Sequence, residues 1–180
     1  MTSLLDPVTE TEKQHFCMEM MKRLDFQRRN EHFCDVILDV GSGTDQARLS
    51  AHRIILCAAS PFFYNALHSE MKEKKEGLIR LKDTGKAMME EVLEYLYTGH
   101  VDVNEQNAYE LMAVADYFLI PSLKLLSSKF IQQTLSISNC IVAYYSGVKY
   151  QCAELQEQAK SFIFANFVAV TESEDRKSVV

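Results

Sequence analysis

No run of apolar residues in this chain of 180 reaches the about 20 that cross a bilayer. The first residues, Met1 to Gln14, have neither a basic start nor an apolar core, which argues against a secretory signal. A cytoplasmic location, with the nucleus as the other compartment, is therefore expected. Cationic excess is also lacking: 19 Lys and Arg stand against 25 Asp and Glu, a formal net charge of −6. That argues against nucleic acid and anionic membrane as partners, since both select basic surfaces. Cys17, Cys34, Cys57, Cys140 and Cys152 are widely spaced and form no CxxC pair. They read as reduced thiols, not as zinc ligands. No glycine-rich phosphate loop occurs, and Ser50 and Ser60 lack the flanks of a nucleophile elbow. With no paired nucleophile and base, no catalytic, cofactor or metal residue is expected, and the chain reads as a non-enzyme. No internal repeat is visible.

What is present is an ordinary globular composition, 47% hydrophobic and 24% charged, long enough to bury a core of its own. Thr9 and Glu12 have the spacing of a capping box. Behind them Phe16, Met20 and Leu24 recur every four residues with Met21 alongside, the pattern of an amphipathic helix. That stripe needs a cover, either the body of the chain or a second copy. "FCDVILDV" (Phe33 to Val40) alternates, with Cys34, Val36, Leu38 and Val40 on one face and Asp35 and Asp39 on the other. "ARLSAHR" returns as a second strand. Two short helices follow, the second opening at Pro61, and "GLIRL" and "HVDV" read as further strands. The rest is helical. Thr84, Asn104 and Ser138 are expected caps, and Gly99 is an expected stop. Strands placed early with helices segregated after them give the class α+β.

The blocks "FCDVILDV", "ARLSAHRIILCAASPFFYNAL" and "VLEYLYTGHVDV" together resemble the BTB (POZ) domain in order and spacing. The stretch from "AVADYFLIPSLKLL" to "AKSFIFANF" looks like the rest of that domain running into the BACK region of Kelch-like proteins. The resemblance implies a BTB/POZ fold, a small sheet flanked by a helical cluster, followed by a BACK-type helix pair. It divides the chain into a disordered start over 1–9, a BTB domain over 10–135, a partial BACK region over 136–170 and a tail over 171–180.

The resemblance also implies a homodimer, or a heterodimer with other BTB proteins, built on Phe16, Met20, Met21 and Leu24. It implies an adaptor for cullin-3 ubiquitin ligases. In Kelch-like adaptors an apolar residue two before a glutamate supplies a principal cullin contact, and here that pattern is Met71-Lys72-Glu73. Tyr64, Leu67, His68 and Tyr117 are the neighbours expected to share the surface. Asp35 and Arg53 match a charged pocket of BTB repressors, and a structural role is expected for them here. The alternative that the resemblance leaves is a BTB module for co-repressors or cytoskeletal scaffolds. The tail departs from the family pattern after Glu174, which suggests a short form without Kelch repeats that competes with full-length relatives.

Overall fold

The computed structural model describes residues 9–68 and 77–172. They fall into two compact units, one within Met1–Val101 and one within Asp102–Val180. The first unit opens with helix α1 (Glu10–Arg29). Its N-terminus carries the full capping box: the Glu12 N–H donates to the Thr9 hydroxyl, and the Thr9 N–H donates to the Glu12 carboxylate at 2.7 Å. Strands β1 (Val36–Val40), β2 (Ala47–Ala51) and β3 (Leu78–Leu81) form a sheet in the order β2-β1-β3. β2 returns antiparallel, with Val36 opposite Ala51, and β3 lies parallel, with Ile37 beside Leu78. The alternation sets the core face: Val36, Leu38 and Val40 are buried, and Ile37 points outward.

Helices α2 (Arg53–Ala59) and α3 (Pro61–His68) follow β2. The α2 N-terminus has no cap from its own N-cap residue, His52. Asp35 serves instead, its Oδ1 accepting the Arg53 N–H at 2.7 Å. Helix α4 (Lys86–Thr98) buries Met88, Met89, Val92, Leu93 and Tyr97. It ends at Gly99, whose φ of 70° is the left-handed value that glycine adopts without a Cβ clash. Thr84 is buried and does not cap this helix; the N-cap is Gly85.

The strand expected at "HVDV" does not form. The Asp102 carbonyl accepts instead from Asn107 Nδ2, and the Asn104 N–H donates to Asn107 Oδ1, both at 2.8 Å. A side chain thus satisfies backbone groups that a ladder would otherwise have used.

The second unit holds α5 (Ala108–Tyr117), α6 (Pro121–Gln133), α7 (Cys140–Lys149), α8 (Ala153–Ala165) and the short α9 (Phe167–Glu172). Ala108, Met112, Ile131, Ala143, Leu155 and Ala159 make one continuous core. The expected caps shift by a few residues: Asn107 replaces Asn104, and Asn139 replaces Ser138.

The expectation of no internal repeat is wrong. The pairs α5–α6 and α7–α8 are the same hairpin, 32 residues apart. Asn139 repeats the bonds of Asn107, taking the Ser136 N–H at 2.9 Å and donating to the Thr134 carbonyl at 2.8 Å. The turns match as well: Leu119 and Gln151 have φ of 55° and 54°. Ile120 donates to the Ala115 carbonyl and Cys152 to the Gly147 carbonyl, both at 2.8 Å. Both pairs join a helix of 10 residues to one of 13. Identical residues fall at only four positions: Asn107 and Asn139, Leu123 and Leu155, Phe130 and Phe162, Ile131 and Ile163. Residue identity therefore hides a repeat that the hydrogen bonds display.

Candidate interaction surface

The candidate surface starts from how α1 is held. Its C-terminal half lies against α4, and Asp25 is the buried centre of that contact. Asp25 accepts from Arg28 at 2.7 Å and from Arg29 Nε at 2.6 Å, and Arg29 reaches on to Glu94 of α4 at 2.6 Å. Burial pushes the Asp25 carboxyl up, but the guanidinium donors of Arg29 and Arg28 outweigh it and hold it below the usual carboxylate range. The Arg28 guanidinium also lies 5.1 Å from the centre of the Tyr97 ring.

From Tyr97 the chain of contacts reaches the β2–α2 junction. His52 Nε2 lies 3.0 Å from the His32 carbonyl oxygen, a pure acceptor, so Nε2 carries the proton. Nδ1 then accepts from the Tyr97 hydroxyl at 2.8 Å, while the Tyr97 oxygen takes the His52 N–H at 2.9 Å. Burial drives the Tyr97 hydroxyl pKa up to about 12. His52 is thus a core histidine held by three hydrogen bonds to two groups.

The N-terminal half of α1 is different. Phe16 is 63% exposed and Met20 46%, while Leu24 and Met21 are half-buried. The apolar stripe is therefore divided: its lower part packs on the chain itself, and its upper part faces outward. Among the further exposed apolar residues of this unit, sequence pattern did not single out Met18, Phe26, Phe33 and Ile54, at 59%, 65%, 83% and 73%. Phe33 carries a φ of 58°, as Glu31 does at 57°, so the link from α1 to β1 holds two non-glycine residues in the left-handed region. Periodicity cannot reveal such positions, because they lie outside regular elements.

On α3, Tyr64 and His68 are exposed and stack with ring centres 5.0 Å apart. Leu67 is only 3% exposed, so it fills the core and offers no contact surface. Met71 and Glu73 lie outside the described residues. Tyr117 belongs to the second unit and is 59% exposed. Asp35 and Arg53 are neighbours, but their charged groups are 3.9 Å apart and the Asp35 side chain is 58% exposed. The shorter bond, to the Arg53 N–H, makes Asp35 chiefly a helix cap. Among the described residues no helix is long and apolar enough to cross a membrane.

The family model for the BTB/POZ domain matches residues 24–135. The chain is 29% identical over 171 residues to Kelch-like protein 40a of Danio rerio, covering 95% of this chain and 27% of that protein. It is 30% identical over 179 residues to Kelch-like protein 11 of Homo sapiens, covering 94% of this chain and 25% of that protein. The chain therefore spans about a quarter of the length of these relatives. Among solved structures, the BTB domain of zebrafish PATZ1 is similar, with a TM-score of 0.58 and 26% identity over 71% of this chain and 99% of that one.

Proposed function

Because the chain belongs to the BTB/POZ domain family, we propose that it is a dimeric, non-enzymatic adaptor that docks on the cullin-3 ubiquitin-ligase scaffold. Interaction modules are the coarse class that its Kelch-like relatives share. The observation that carries the dimer is the divided stripe of α1. A helix whose lower half is tied down by Asp25 and Arg29 presents Phe16 and Met20 in a fixed pose. A self-complementary patch of that kind is the common route to a two-fold dimer.

The cullin contact rests on the sequence pattern Met71-Lys72-Glu73. Methionine adapts to irregular apolar pockets, and a glutamate can accept from the N–H groups of a partner segment or pair with a basic residue. The exposed Tyr64–His68 stack immediately precedes that segment and supports the same side as the docking surface.

Calorimetry with the cullin-3 N-terminal region tests the reading. The double variant Met71→Ala, Glu73→Ala should bind at least tenfold more weakly, about 1.4 kcal/mol or more, while remaining folded. Equal affinity for the two forms would exclude the docking role. Light scattering on the parent chain tests the dimer separately.

A further inference from the structure

The residues 69–76, which include Met71 and Glu73, lie in sequence between His68, the end of α3, and Gly77, just before β3. One guanidinium meets both flanks of that stretch. On the α3 side, Arg53 Nη1 donates to the Leu67 carbonyl at 3.5 Å. That carbonyl belongs to the last turn, where a helix leaves its oxygens without internal partners. On the β3 side, a Cβ at Gly77 would lie 3.9 Å from Arg53 Nη2 and 3.1 Å from the Asp35 carbonyl oxygen. Gly77 also has a φ of 61°, so this close approach calls for glycine. The Gly77 carbonyl takes the Ile37 N–H at 2.7 Å, which fixes that flank to β1.

The side chain of Arg53 is not what caps α2. The cap runs from its backbone N–H to Asp35 Oδ1 at 2.7 Å and survives a change of side chain. The ion pair with Asp35 is loose as well, at 3.9 Å with the Asp35 side chain 58% exposed, and pairs of that kind stabilise little. The reach to Leu67 and Gly77 is therefore separable from the start of α2. A planar fork with several donors suits contact with two places at once, and a single ammonium does not. Holding the two flanks of an eight-residue stretch lowers the entropy that the stretch loses when it binds.

We infer that Arg53 is a positioning residue for the docking pattern Met71-Lys72-Glu73, an inference that rests on the cullin-3 reading above. It acts through Leu67 and Gly77, setting where the stretch leaves α3 and where it joins the sheet, and not through a contact of its own with the partner.

Trypsin tests the tie without any partner. Lys72, Lys74 and Lys75 lie in the stretch, and Arg53→Gln should speed cleavage after them at least about threefold, because a released segment opens more often. Circular dichroism and the amide exchange of the core residues Leu38 and Val40 should not change. Calorimetry with the cullin-3 N-terminal region tests the positioning. Arg53→Gln should weaken binding about three- to tenfold. It should weaken binding no further in the Met71→Ala, Glu73→Ala background, whereas a general loosening of the fold would weaken both backgrounds equally. Arg53→Lys, which keeps the charge, guards against a folding defect and should show the same two changes in smaller measure. Unchanged cleavage in both variants overturns the tie. Faster cleavage with unchanged affinity, or an equal loss of affinity in both backgrounds, overturns the positioning role. If Met71→Ala, Glu73→Ala binds as the parent does, the docking reading falls and takes the positioning role with it, while the cleavage result still decides the tie.

Discussion

The two halves of α1 have the same secondary structure and opposite surroundings. From Glu10 to Met20 nearly every residue is exposed, and the polar bonds are local: the Thr9–Glu12 box, Lys13 to Glu10 at 3.5 Å, Lys22 to Glu19 at 3.0 Å. From Met21 to Arg29 the helix is tied to α4 through Asp25, Arg29 and Glu94. Local pairs and a cap together stabilise a few turns by about 1–2 kcal/mol, which is marginal for a helix end with nothing packed on it. The lower half is thus stabilised by the fold, and the upper half waits for a cover. Breaking one half should therefore alter stability, and breaking the other should alter association.

The largest effect is expected from Asp25→Ala. It leaves Arg28, whose side chain is 10% exposed, without its carboxylate. Removing one partner of a buried pair costs about 3–5 kcal/mol. Urea unfolding followed by circular dichroism should show it, and association should weaken as well, because the pose of α1 is lost. Acid makes the same cut. The folded Asp25 pKa is depressed, so its contribution is complete above the unfolded value of about 4 and is lost as pH falls through the lower folded value. The parent should lose this increment below about pH 4, and Asp25→Ala should have none to lose. Parallel acid-unfolding curves would remove Asp25 from the account.

Tyr97→Phe comes next. It removes the group that donates to His52 Nδ1 and accepts the His52 N–H, leaving buried polar atoms without partners at a cost of about 2 kcal/mol. The sharper counterpart is Phe16→Asp with Met20→Asp. Both residues are exposed, so monomer stability should shift by under about 0.5 kcal/mol. Sedimentation should nevertheless show the dimer constant raised by more than about 30-fold, the loss of a 2 kcal/mol anchor. An unchanged sedimentation profile would leave the upper half of α1 with no role in dimerisation. Leu24→Asp is a poorer probe, since Leu24 is half-buried and touches both halves of the comparison.

Sequence patterns disclosed what is periodic and little of what is not. The stripe of α1 and the alternation in β1 follow from spacings of four and two. The latch escaped notice because Asp25, Arg28, Arg29 and Glu94 read as an ordinary charged surface until α1 is laid on α4. Tyr97 was not singled out by spacing. Phe33 was assigned to a strand, but β1 begins only at Val36. The hairpin repeat was hidden for another reason. Its shared feature is an asparagine that closes a backbone loop and a left-handed residue at the turn, and Leu119 and Gln151 have no side-chain chemistry in common. The turn matches even so, since its bonds join backbone groups. The expectation for Met71 and Glu73 rests on family resemblance alone, because three residues carry no periodicity.

The smallest expected effect belongs to Glu94→Gln, and it sets the scale for the latch. Glu94 bonds Arg29 at 2.6 Å, but the two side chains are 44% and 52% exposed. Water and salt screen such a pair, and exposed ion pairs contribute about 0.2–1 kcal/mol. Arg29 also keeps its bond to Asp25, so Glu94→Gln leaves no buried charge stranded. A loss of about 0.5 kcal/mol is expected in low salt, shrinking toward zero as sodium chloride approaches 1 M. The Asp25→Ala loss should persist in the same salt series, because its carboxylate and the Arg28 guanidinium are shielded from solvent. If both losses fade together with salt, the latch is a surface charge effect and the fixed pose of α1 must come from packing against α4 alone.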